Sequence, residues 1–162
     1  MSKRFIATLV CSALGLIGAS GLALADSIGR FECSVVGTPS QEPIGDRNGH
    51  GLLSIQYSCF GVDGLLKGSV YTASNASEWD GPQGTFLSGA GILRTAGGLA
   101  VTQLIEGTGS VIMKDGKVVG TETSGKGAFK LASGPLAALS GKTFKFATKL
   151  TGVSRFSLEL TD

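Results

Sequence analysis

The sequence predicts an all-β domain: a single closed antiparallel barrel of about eight strands, with a two-sheet β-sandwich as the alternative. Three observations predict it. Short runs rich in Val, Ile, Thr and Phe recur between glycine-containing breaks, and no long stretch after residue 25 keeps a helical period. In "SVIMKDGKVVG" (110–120), Asp115-Gly116 stands between two apolar runs. That is a two-residue hairpin signal, because a type I′ turn needs positive φ at both central positions. Finally, the arms of this hairpin are too long to run straight. The stretch Leu99 to Met113 would reach roughly 50 Å at about 3.3 Å per residue. Gly107 and Gly109 on one arm, and Gly125 and Gly127 on the other, are expected to kink it. Long, bent strands joined in sequence are what a closed barrel requires, although bends also serve strands that switch sheets in a sandwich.

Residues 1–25 read as a cleaved secretory signal. Lys3-Arg4 precedes an uncharged run from Phe5 to Ala25, which ends Ala23-Leu24-Ala25 before Asp26. The run is long enough to span a bilayer, but Gly15, Gly18, Gly21 and the small-x-small end favour cleavage. The expected product is a single secreted or periplasmic domain, 26–162, with no membrane span. Of 26 glycines, 23 fall in its 137 residues. Cys33 and Cys59 remain, and an even count in an exported chain predicts a disulfide between them.

The elements follow in order. Arg30–Gly37 and Leu52–Phe60 each alternate apolar residues on one face. Paired antiparallel through Cys33 and Cys59, they set Val35 opposite Tyr57. Thr38–Gly51, with two prolines and His50, reads as a long exposed loop. Strands are expected at Leu65–Thr72, Gly84–Thr95, Leu99–Thr108, Gly109–Met113, Lys117–Leu131, Lys142–Leu150 and Ser154–Thr161. "SNASEWDGPQG" (74–84) reads as a loop by composition, and Asn75-Ala76-Ser77 within it as a turn rather than a glycosylation site. Ser133–Gly141 carries the one plausible helical turn. The hairpin register sets Lys114 opposite Lys117, Met113 opposite Val118, Val111 opposite Gly120, and Gly109 opposite Glu122.

Composition excludes several functions. Without Lys3 and Arg4 the domain has 12 basic against 12 acidic residues, with no basic run, so no nucleic-acid partner is expected. His50 is the only histidine, and no cluster has metal-ligand spacing, so no metal is expected. No phosphate-binding loop or other cofactor motif occurs, and no cofactor is expected. Nothing supports a nucleophile elbow, and His50 between Gly49 and Gly51 reads as a solvated loop residue. A transmembrane barrel would want an aromatic girdle, which one Trp and two Tyr do not supply.

Glu122 is the candidate catalytic group. In the ideal register it shares the apolar face with Val111, Met113 and Val118, with Arg94 as its candidate partner. Such a carboxylate would have a raised pKa and could serve as acid, base or anchor. A one-residue bulge near Gly120 or Gly125 would instead turn it outward, and that is the favoured reading. Glu106, grouped with Thr102, Thr108 and Ser110, is expected to meet water. Tyr57, Tyr71, Trp79, Gln103 and Arg94 are the candidate ligand-binding residues, with Trp79 capping a mouth from its loop.

The stretches "GTFLSGAGILRTAGG" (84–98) and "EGTGSVIMKDGKVVGTETSGKGAFKL" (106–131) resemble the glycine-punctuated long strands of small exported barrels of the allene oxide cyclase and dirigent type. The likeness covers about a third of the chain. It implies a barrel that holds an apolar substrate or radical product and steers ring closure or coupling without a cofactor. No catalytic motif of those families carries over to a residue here. The expectation is therefore an exported binding or structural protein, holding a small apolar molecule or docking on an envelope protein. The alternative is a cofactor-independent cyclase or isomerase working inside the barrel through Glu122 or Glu106.

Overall fold

The structure, a computed structural model, describes residues 27–162; the predicted signal segment lies outside them. Nine strands follow in order: β1 (Ser27–Val35), β2 (Ser40–Pro43), β3 (His50–Gly64), β4 (Val70–Asp80), β5 (Gln83–Thr95), β6 (Gly98–Lys114), β7 (Lys117–Ala132), β8 (Thr143–Gly152) and β9 (Arg155–Thr161). A single 3₁₀ turn, Gly134–Leu139, links β7 to β8. From β3 to β9 each strand pairs antiparallel with the next. β1 then pairs with both β9 and β3, which closes an eight-stranded barrel. Closure rules out the sandwich. The short β2 adds only to the upper part of β3, opposite residues 51–54.

The closing seam is covalent. Cys33 and Cys59 face one another across β1 and β3 and are joined by a disulfide, with Val35 opposite Tyr57 as the sequence register requires. The hairpin tip also forms as expected. Asp115 and Gly116 have φ of 51° and 73°, and Lys114 faces Lys117.

The strands bend differently from the expectation. One extra residue bulges at Leu87 on β5, Ile105 on β6, and Val119 and Lys130 on β7. Gly107, Gly109, Gly125 and Gly127 are not among these; they sit in the paired ladder with no positive φ. Bulges supply the local twist and bend, so the glycines must be there for another reason. The Val119 bulge stands beside Gly120, where the favoured reading of the sequence puts one, and it shifts the ideal hairpin register by one residue. Thr121 faces Val111, Thr123 faces Gly109, and Glu122 faces Ser110.

Three segments differ from their predicted state. Residues 65–69 form a turn, with β4 starting at Val70. Ser74–Asp80, expected as a loop, is the upper half of β4, and only Gly81-Pro82 separate it from β5. Its composition misleads because a row of polar residues (Asn75, Ser77) faces the barrel interior, where strands are ordinarily apolar. The predicted loop 38–51 contains β2 and the start of β3.

One barrel end is plugged. Leu66 from the β3–β4 turn and Leu136 and Leu139 from the 3₁₀ turn are buried against Ile28, Phe31, Leu93 and Phe129. The outer wall carries exposed Arg30, Glu32, Arg94, Lys130, Lys145 and Glu159, whereas a lipid-spanning barrel needs an apolar outer band. No helix among the described residues is long and apolar enough to cross a membrane. Replacing both cysteines with alanine is expected to leave the barrel intact but lower its unfolding free energy by about 3 kcal/mol, the closure entropy of a loop of this length. Urea unfolding of oxidised wild type against the double variant measures it.

Candidate functional site: the barrel lumen

The interior glycines explain the lumen. Trp79, Gly84 and Gly109 lie in one row across β4, β5 and β6. The indole extends sideways from β4 and lies flat over both glycines; a Cβ on Gly84 would stand 2.6 Å from the ring. A second row runs from Phe146 on β8 across Gly125 and Gly107. Its ring meets Phe86 of β5 edge-on at 6.0 Å. Phe144 lies over Gly127 in the same way, and Tyr71 over Gly91. Each ring therefore packs along the wall instead of towards the axis. A cavity of about 230 Å³ remains between them.

The cavity lies at the unplugged end, beneath the β4–β5 turn, the β6–β7 hairpin and the β8–β9 turn. Phe86, Phe144, Phe146, Phe156 and Leu104 supply its apolar wall. Its polar groups are few and neutral. Tyr71 Oη and Thr102 Oγ1 share a hydrogen bond of 2.8 Å, and Thr102 is buried. Tyr57 packs edge-on against Tyr71 at 6.1 Å and against Phe156 at 5.3 Å. Trp79 Nε1 donates to Ser77 Oγ at 2.9 Å, and Thr123 and Thr148 hydroxyls meet at 2.8 Å on the opposite wall. Burial, and secondarily the neighbouring Tyr71, pushes the Tyr57 phenol far up; burial also raises Tyr71, against the Thr102 hydrogen bond. Both phenols therefore stay protonated. Among the described residues lining the cavity there is no carboxylate, ammonium, guanidinium or imidazole.

Of the predicted ligand-binding residues, Tyr57, Tyr71 and Trp79 line the cavity. Trp79 does so from a strand, not from a loop. Gln103 borders it but is exposed, at a place where the wall is loose. Between the pairs Thr85–Thr108 and Ala90–Gln103, β5 and β6 are not paired. Arg94 is on the outer wall, its Nη1 3.4 Å from Thr72 Oγ1, and meets neither Glu122 nor the lumen. Glu122 is exposed and turned outward by the Val119 bulge, with Ser110 Oγ donating to it at 3.5 Å. Glu106 is likewise outside, paired with Lys126 Nζ at 2.9 Å. The Ile105 bulge parts it from Thr102, which faces inward. Sequence reading missed Asn75, Ser77, Thr121, Thr123 and Thr148 as lining residues. Strict alternation out from Trp79 would have found the first two, had the segment been read as a strand.

His50 is the second correction. It is 6 % exposed, not solvated, and opens β3. Its Nδ1 lies 2.5 Å from Asp46 Oδ1 and its Nε2 2.6 Å from Glu78 Oε1. Arg47 bridges Asp46 and Asp80, at 2.6 and 2.7 Å. The cluster latches the β2–β3 turn onto the outer face of β4, away from the lumen. The hydrogen bond to Asp46, then that to Glu78, raises the imidazole above its usual 6.5. Asp46 and Asp80 are lowered, first by their hydrogen bonds with His50 and Arg47 respectively. Among the described residues no group of His, Cys, Asp and Glu is arranged to hold a metal. The chain matches no protein-family model, no curated protein and no solved structure.

Two expectations follow. Gly91→Ala and Gly84→Ala should each cost about 1–3 kcal/mol by driving Tyr71 or Trp79 off the wall, measured by urea unfolding, whereas Gly120→Ala, with 3.8 Å to spare, should be nearly neutral. The His50 latch stabilises fully below pH 6.5, where the unfolded imidazole is also protonated. Its contribution is lost as pH rises through the higher folded value. The Tm advantage of wild type over His50→Asn should therefore shrink as pH climbs above 6.5. It should also fall in acid, below the usual 3.8 of Asp46, as that carboxylate protonates.

Proposed function

We propose that this protein is an exported carrier that holds one small, uncharged, mostly apolar molecule in its lumen. The observation that carries the reading is the hollow itself: rings are laid against the wall over glycines, leaving space a packed core would fill. Protein interiors are ordinarily close-packed. A cavity of about 230 Å³ falls below the roughly 300–1,000 Å³ of drug-sized sites, so the occupant is a compact ring system rather than a long chain. The Tyr71–Thr102 pair and Asn75 offer it neutral donors and acceptors; a charged ligand would find no counter-charge. Export to an oxidising compartment is supported by the Cys33–Cys59 disulfide and by the basic-then-apolar first 25 residues.

The second reading, a cofactor-independent cyclase or isomerase, is favoured by the likeness to allene oxide cyclase and dirigent barrels. Against it, Glu122 and Glu106 both face water, and the lumen's phenols are held protonated. The lumen therefore offers no ready proton acceptor. The neutral dye N-phenyl-1-naphthylamine tests the carrier reading. It should bind one per chain with enhanced fluorescence, and Thr121→Trp, which fills the mouth, should abolish binding without unfolding the barrel. Absence of saturable binding in wild type, together with no small molecule retained in native mass spectrometry from the source cell, would overturn it.

A further inference from the structure

Half of the lumen's rim is apolar and basic. Val36, Met113, Val118, Val119, Leu150 and Val153 are all exposed there, Val153 at 95 %. They are contiguous. The Val35 N–H donates to Ser154 O at 2.9 Å, which sets Val36 beside the β8–β9 turn. Gly120 stands against Leu150, which sets that turn beside the β6–β7 hairpin. Lys114, Lys117, Lys149 and Arg155 surround this patch, exposed and without an ion pair among the described residues. Asp115 and Glu122 are the acids on that side. The opposite half of the rim is acidic, with Glu42, Asp46, Glu78 and Asp80 around Arg47 and His50.

We propose that the β6–β7 hairpin tip and the β8–β9 turn dock on an anionic lipid surface, seating the lumen's mouth against the bilayer. Large apolar side chains on two turn tips are what an interface-binding surface presents, and the encircling cations match anionic headgroups. A second copy of the chain fits poorly. A two-fold contact through the same patch would set four cations against four. The orientation gives an apolar occupant a path from acyl chains to lumen without crossing water. That consequence rests on the carrier reading; the docking itself does not.

The test is co-sedimentation of the full exported domain with vesicles of phosphatidylcholine containing about one-third phosphatidylglycerol. Binding is expected at about 0.05 M salt and should be lost near 0.5 M. It should be absent with pure phosphatidylcholine. Lys114→Ser with Lys117→Ser should weaken partitioning about thirty-fold, taking each cation's contribution as about 1 kcal/mol. Val118→Ser with Val119→Ser should weaken it too. Lys67→Ser with Lys142→Ser, an equal charge change at the plugged end, should leave it unchanged. Circular dichroism of each variant guards against unfolding. No binding to the anionic vesicles, or equal loss in the plugged-end variant, overturns the proposal. So does a dimer in analytical ultracentrifugation that Val153→Ser dissolves, which assigns the patch to a second copy. Dye binding to the lumen without vesicle binding refutes docking alone and leaves the carrier reading standing.

Discussion

The contact on which the rest depends is an aromatic ring laid across glycine on the inner wall of the barrel. Eight strands form a ring just wide enough for side chains to fill. Whether such a barrel is solid or hollow is decided by which way its large residues point. Here Trp79 spans Gly84 and Gly109, Phe146 spans Gly125 and Gly107, and Phe144 covers Gly127. Any Cβ at these glycines would collide with a ring and push it inward. The glycine therefore makes room beside the wall so that room remains at the centre. It also leaves the ring well packed on one face, so that the hollow is not simply a core with missing contacts.

Two further features complete this wall. The Cys33–Cys59 bond ties the seam where the first strand meets the third, while the pairing of the first strand with β9 brings the two ends of the described chain together. Leu66, Leu136 and Leu139 plug one end with the close-packed core the rest of the lumen lacks. The close packing and the covalent tie are thus at the plugged end and the seam, and the hollow lies towards the open end. The His50 latch, outside the lumen, orders the β2–β3 turn without adding charge to the cavity. The polar groups lining the lumen are phenol, amide, indole and hydroxyl, and on the proposed carrier reading such a lumen would select by shape and neutrality.

Much of this was legible in the sequence. The alternation around Cys33 and Cys59 gave the closing register to the residue, and Asp115-Gly116 gave the hairpin turn. The abundance of glycine pointed to the barrel, but for the wrong physical reason. Bulges at Leu87, Ile105, Val119 and Lys130 bend the long strands; only the one at Val119, beside Gly120, falls where the sequence favoured a bulge, and nothing in the other residue types marks one. One such bulge is enough to reverse Glu122, because a one-residue slip exchanges the two faces of a strand. The composition of Ser74–Asp80 hid a strand, since small polar residues facing a hollow interior resemble those of a loop. His50 was unreadable for another reason: its partner Glu78 comes from a different strand, and only the fold brings the two together.

The most direct test of the central claim is diffraction from crystals pressurised with xenon, which enters dry apolar cavities in proteins. A xenon atom is expected in the lumen of the wild type, among Trp79, Phe86 and Phe146, with the three rings still flat against the wall over their glycines. Rings turned inward to fill the axis, with no xenon between them, would contradict it.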